Sequence, residues 1–91
     1  MRGKKYVKLS PSFQMVTVDG KQYLTSAVRG FSGQMACNET AAFLIGLLRR
    51  RTTEDKLIRK MCRTFDAPQD EIASDVADIL QMLRRIGALE E

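Results

Sequence analysis

Histidine and tryptophan are absent from this 91-residue chain, and cysteine and proline occur only twice each. Without histidine, the commonest general base at neutral pH and the commonest nitrogen ligand for a metal are both missing. Cys37 and Cys62 are too far apart for a C-x-x-C pair, and neither has a histidine or asparagine partner arranged to make a thiolate nucleophile. In their apolar surroundings they read as buried free thiols rather than as a disulfide. Long hydrophobic runs are lacking too: the stretch from Ala41 is interrupted at Gly46 and stopped at Arg49, well short of the ~20 residues of a membrane helix. Met1 to Tyr6 carries charge without a following apolar segment, so no secretory signal is expected and a cytoplasmic setting fits. Gly30 and Gly33 have neither a helix-opening glycine nor a Lys-Ser/Thr pair after them, which removes a phosphate-binding loop. The chain is therefore expected to be no enzyme by itself, and to hold no cofactor and no metal.

Positive charge is in mild excess. The formal net charge is +4 and the pI about 9.4, with basic residues grouped at Lys4, Lys5 and Lys8, at Arg49 to Arg51, at Lys56, Arg59, Lys60 and Arg63, and at Arg84 and Arg85. That balance favours an acidic partner, nucleic acid or polypeptide, without choosing between them. Acidic residues gather instead around the start of the last helix, at Asp66, Asp70, Glu71, Asp75 and Asp78. They lack the loop glycines and fixed oxygen cage of a cation site, and suit the positive end of a helix dipole. A hydrophobic fraction of 44% supports one modest core and one domain.

Residues 1–12 read as a flexible arm ending at Ser10-Pro11-Ser12, and residues 13–91 as the folded domain. Phe13 to Val18 alternates as a half-buried strand does; Asp19-Gly20 is a two-residue hairpin signal, and Gln22 to Ala27 supplies the returning strand. A glycine-punctuated connection, Arg29 to Gly33, leads to a third short strand at Gln34 to Cys37. From there the pattern is helical. Asn38 is placed to cap a first helix over 39–50, apolar on most of its circumference and therefore the most buried. Thr52 or Thr53 caps a second helix, whose stripe is Leu57, Ile58, Met61, Cys62 and Phe65. Pro68 separates it from a third over 69–86, with Ile72, Val76, Ile79, Leu80, Leu83 and Ile86 on one face and Gly87 to end it. The fold class is α+β: a three-stranded antiparallel sheet followed by three helices, similar in shape to a winged helix-turn-helix.

The segment Gly33 to Thr40 joins strand to helix with no loop, and no later strand signal is present to cover the strand's outer edge. A rigidly held, open edge is a place for an extended peptide to dock. The alternative is a winged-helix DNA-binding protein. Against it, the recognition helix would present Asp70, Glu71, Asp75 and Asp78 to a polyanion. A third reading is a homodimer in which the same edge pairs with its copy.

Phe31-Ser32-Gly33-Gln34-Met35-Ala36-Cys37-Asn38-Glu39-Thr40-Ala41-Ala42-Phe43-Leu44 resembles the F-N-G-x-I-x-L-N-E-T-G-A-F-L segment of PqqD-like proteins. Asp75-Val76, Ile79-Leu80, Leu83 and Gly87-Ala88-Leu89 are similar to that family's C-terminal D-V-x-x-F-L-x-x-L-x-x-x-G-L-L helix. The likeness spans about residues 7 to 90, with Ser32 in place of the usual asparagine and a smaller strand end at Ala36-Cys37. The resemblance implies a recognition element for ribosomally synthesised, post-translationally modified peptides. Such a protein is a non-catalytic chaperone that binds the leader of a precursor peptide and delivers it to a modifying enzyme. In several pathways, that of pyrroloquinoline quinone included, this enzyme is a radical S-adenosylmethionine protein. In the family the leader adds as a strand beside the third strand and lies against the third helix. Carried onto this chain, the peptide-binding residues are Gly33, Gln34, Met35, Ala36 and Cys37 on the strand and Asp75, Ile79 and Met82 on the helix. Ala73 and Ala77 on the other flank of that helix would equally allow close backbone approach, and the sequence leaves the choice of flank open.

Overall fold

The computed structural model describes residues 5–26 and 34–91. In chain order its elements are β1 (Lys8–Leu9), β2 (Phe13–Val18), β3 (Lys21–Ser26), β4 (Gln34–Cys37), α1 (Glu39–Leu47), α2 (Glu54–Thr64), α3 (Gln69–Arg85) and β5 (Leu89–Glu90). The expected connection at 29–33, together with Ala27 and Gly33, lies outside the described residues.

Asp19 and Gly20 both take positive φ, 52° and 76°, as a two-residue turn must to match the twist of the strands it joins. The turn fixes an antiparallel register from Val18↔Lys21 to Phe13↔Ser26. β4 continues the sheet on the far side of β3, with Leu24↔Met35 and Tyr23↔Ala36, giving the order β2-β3-β4. Because side chains alternate across a strand, Met15, Leu24 and Met35 form one cross-strand row. Leu24 is fully buried in the core and its two neighbours pack half-buried against it. This is the face turned to the helices.

Asn38 caps α1 as expected: its backbone is extended and its side-chain oxygen accepts from the Ala41 amide at 2.8 Å. Ala41, Leu44 and Ile45 are buried, and only Glu39 and Gly46 of α1 are exposed, which makes it the most covered helix. It stops at Leu47 rather than 50. Arg49 to Arg51 leave the helix and bring Thr52 to Val7, where the two residues exchange hydrogen bonds of 2.8 and 3.0 Å. Thr53, not Thr52, caps α2, its hydroxyl accepting from the Lys56 amide at 3.3 Å. Leu57 and Met61 of α2 and Ile72, Val76, Leu80 and Leu83 of α3 are buried against the same core. Phe65 meets Phe43 of α1 edge-on, with ring centroids 5.5 Å apart. Gly87, at φ 75°, turns the chain out of α3, and the Ala88 amide closes back on the Leu83 carbonyl at 2.9 Å.

The expected α+β class is the observed one, with a three-stranded antiparallel sheet followed by three helices. The flexible arm over 1–12 is not what residues 7–12 form. Val7 and Leu9 are 3% and 8% exposed and belong to the core. Lys8 pairs with Glu90 and Leu9 with Leu89, so β1 and β5 make a second, two-stranded sheet. The Leu9 amide donates to the Leu48 carbonyl at 2.8 Å and the Ser10 amide to Ala88 at 2.7 Å. The physical reason is the alternation Val7-Lys8-Leu9: two apolar side chains point inward from a segment whose charges suggest solvent.

Candidate functional site

β4 is held by its core-facing side chains and by its C-terminal end. Its core-facing residues Met35 and Cys37 pack half-buried against the hydrophobic cluster, while Gln34 and Ala36 are exposed. Its C-terminal end runs into the Asn38 cap, so the strand cannot shift without unwinding the first turn of α1. The Cys37 thiol donates to the Met35 carbonyl at 3.5 Å. Burial pushes its pKa up, against a smaller opposing effect of a hydrogen bond with the Leu24 backbone. Burial of this kind disfavours the thiolate form, and the side chain packs against the core. Among the described residues β4 has β3 as its sole strand neighbour. In an antiparallel pair, alternate residues turn their N–H and C=O groups away from the partner, so half of the β4 backbone points to its open edge.

Beyond that edge lies α3. A groove of about 280 Å³ runs between the two, lined by Ala36 on β4, Ala41 at the start of α1 and Asp75, Asp78, Ile79 and Met82 on α3. Asn38 and Thr40 complete its wall at the junction of strand and helix. Four of the eight residues singled out from the sequence, Ala36, Asp75, Ile79 and Met82, therefore meet in one place. Gln34, Met35 and Cys37 belong to the same strand without lining the groove, and Gly33 lies outside the described residues. Ala73 and Ala77 are not part of the groove, so the flank bordering β4 is that of Asp75 and Met82. Ile79 has both of the roles open to it: it packs half-buried against the core and lines the groove. Asp78 was not singled out as a site residue. Extending the Asp75-Ile79-Met82 face by helical spacing (i, i+3, i+4, i+7) finds it.

The groove is acidic within a basic molecule. None of its lining residues is a lysine or arginine. Among the described residues the one ion pair is elsewhere, between Arg84 and Glu91 at 2.9 Å. A bidentate hydrogen bond from Arg84 lowers the Glu91 pKa, and the arginine's rises in return. Lys56, Arg59, Lys60 and Arg63 are all exposed along α2. A larger depression of about 700 Å³ lies between Lys5 to Lys8, Arg51, Glu90 and Glu91, where the Arg51 guanidinium sits 5.7 Å from the Tyr6 ring centroid. It includes no residue of β4 or α3. Among the described residues no helix is long and apolar enough to cross a membrane.

Residues 15–89 match the family described as "Coenzyme PQQ synthesis protein D (PqqD)". The fold is similar to that of a solved structure described as TbiB1 in complex with the TbiA(beta) leader peptide. The two agree with a TM-score of 0.75 and 17% sequence identity, over 91% of this chain and 94% of the other. No curated protein matches the chain.

Proposed function

The chain belongs to the PqqD family, and on that footing we propose that it is a non-catalytic chaperone for the leader region of a ribosomally synthesised precursor peptide. The leader adds as a strand to the open edge of β4 and lies in the groove against α3. From there it is presented to a separate enzyme, a radical S-adenosylmethionine protein or another peptide-modifying enzyme, in a peptide natural-product or cofactor pathway of the pyrroloquinoline quinone kind. The setting is the cytoplasm, where such precursors are made.

The observation that carries this reading is the pairing of a strand edge, unshared among the described residues, with a groove that has an apolar wall. Main-chain hydrogen bonds supply affinity tolerant of sequence, and the adjoining side chains supply selection. Gln34, Met35, Ala36 and Cys37 form the edge, Gly33 precedes it, and Asp75, Ile79 and Met82 line the opposite wall. The TbiB1 structure, similar in fold, is described as a leader-peptide complex, in keeping with this use of the fold.

The test is titration of the isotope-labelled protein with a synthetic peptide of its cognate precursor's leader. Amide shifts should concentrate on residues 34–37 and on the Asp75–Met82 face of α3. Shifts confined to Lys56 to Arg63 would overturn the proposal. The rival, a winged-helix DNA binder, draws on that exposed basic stripe of α2 and requires steeply salt-dependent binding to random duplex. A gel-shift series at two salt concentrations separates the two, and light scattering without peptide tests pairing of β4 with a second copy.

A further inference from the structure

We propose that the groove selects guests carrying a lysine or arginine two residues away from a large apolar side chain, both on the face of the added strand turned to α3. The inference rests on β4 being a docking edge and adds what the guest sequence must contain.

Three observations lead to it. First, the α3 wall is divided along its length: Asp75 and Asp78 are carboxylates, Ile79 and Met82 apolar. At a rise of about 1.5 Å per helical residue, Asp75 to Ile79 and Asp78 to Met82 each span about 6 Å. Same-face side chains of a strand repeat every ~6.6 Å. A strand laid along α3 thus offers one side chain to the carboxylates and the next same-face one to Ile79 and Met82.

Second, both carboxylates lack an ion-pair partner among the described residues, and the groove lining contains no cation. A guest strand takes water from them, which costs free energy unless a donor or a positive charge replaces it. A guest acid at that point would be repelled. A second copy of this chain is a poor occupant, because its own Gln34-Met35-Ala36-Cys37 brings no positive charge.

Third, Met82 is one of three large hydrophobic residues exposed on the described surface, at 37%, and it alone of the three lines the groove. A thioether side chain adapts to guests of varied shape, so the apolar position should accept leucine, isoleucine, methionine or phenylalanine alike.

The experiment is selection of a displayed library of random 12-residue peptides on the full chain, followed by synthesis of the enriched peptides. Expected are peptides with Lys or Arg two positions from a large apolar residue. The double variant Asp75→Asn/Asp78→Asn should bind them about threefold to tenfold more weakly, as expected for partly exposed ion pairs, and should lose the preference for a basic residue on reselection. Asp75→Lys/Asp78→Lys should turn that preference to Glu and Asp. Asparagine is close to aspartate in shape and the sites are not buried, so unchanged circular dichroism and melting are expected for the first variant.

The outcomes separate cleanly. Enriched peptides that protect β4 amides yet carry no basic residue at that spacing, or that bind the asparagine variant unchanged, overturn the selection rule and leave strand docking intact. Enriched peptides that leave every β4 amide unaffected overturn the docking reading itself.

Discussion

Met82 stays 37% exposed on a helix whose other large apolar residues are buried or half-buried, and that contrast separates stability from binding at single positions. Met82→Ser is expected to change unfolding free energy by less than about 0.5 kcal/mol, as exposed substitutions do. It should weaken leader binding about fivefold, for the loss of roughly 1 kcal/mol of apolar burial. Isothermal calorimetry beside urea unfolding reads both. Leu83, the next residue of α3 but on its core stripe and fully buried, should behave in the opposite way, with Leu83→Ala costing about 2–5 kcal/mol of stability. Cys37 gives a pH-dependent readout. Because burial raises its pKa from 9.0, less thiolate is present at any given pH than in a free cysteine. In a Cys62→Ser background, iodoacetamide should therefore modify Cys37 more slowly than it modifies an unfolded control. The rate should rise through a midpoint displaced to higher pH, as followed by mass spectrometry. A midpoint below that of the unfolded control would contradict the burial seen here.

β4 and α1 act as one element because the cap of the helix is also the end of the strand. Asn38 was legible from the sequence, since a capping side chain followed by Glu39 and an apolar run is a local signal. Asn38→Ala is expected to cost about 1 kcal/mol in urea unfolding. Because Asn38 also lines the groove, leader affinity should fall both through the loosened strand end and through the altered groove wall. Among the four β4 amides, those turned away from β3 should exchange quickly with deuterium in the free protein and slow on peptide addition, while the inward ones stay protected throughout. Uniform behaviour of all four would mean that no strand adds at this edge.

The whole molecule is closed by a contact between its two ends. β1 and β5 pair, and Val7 and Leu9 enter the core beside Leu48 and Ala88. Leu9→Ala is accordingly expected to destabilise the protein by about 2–4 kcal/mol, measurable by urea unfolding. Removal of a truly mobile arm would leave stability unchanged. Charge is also distributed at this scale. The basic face of α2 and the acidic groove beside α3 lie on separate surfaces of a chain with net charge +4, so the net charge alone misstates what the groove attracts.

The hairpin at Asp19-Gly20, the Asn38 cap, a threonine cap at 52 or 53, the Gly87 turn and the α+β class could all be read from residues a few positions apart. Their physics is local: positive φ, a side-chain oxygen near free amides, an apolar stripe at helical spacing. Two features could not be read that way. Asp75 and Met82 flank the α3 core stripe on one side, Ala73 and Ala77 on the other, and helical periodicity treats the two sides alike. The bordering flank emerged only when β4 and α3 were packed on a shared core. Likewise Val7-Lys8-Leu9 is too short to announce a strand, and becomes one only because its partner, Leu89-Glu90, arrives from the far end of the chain.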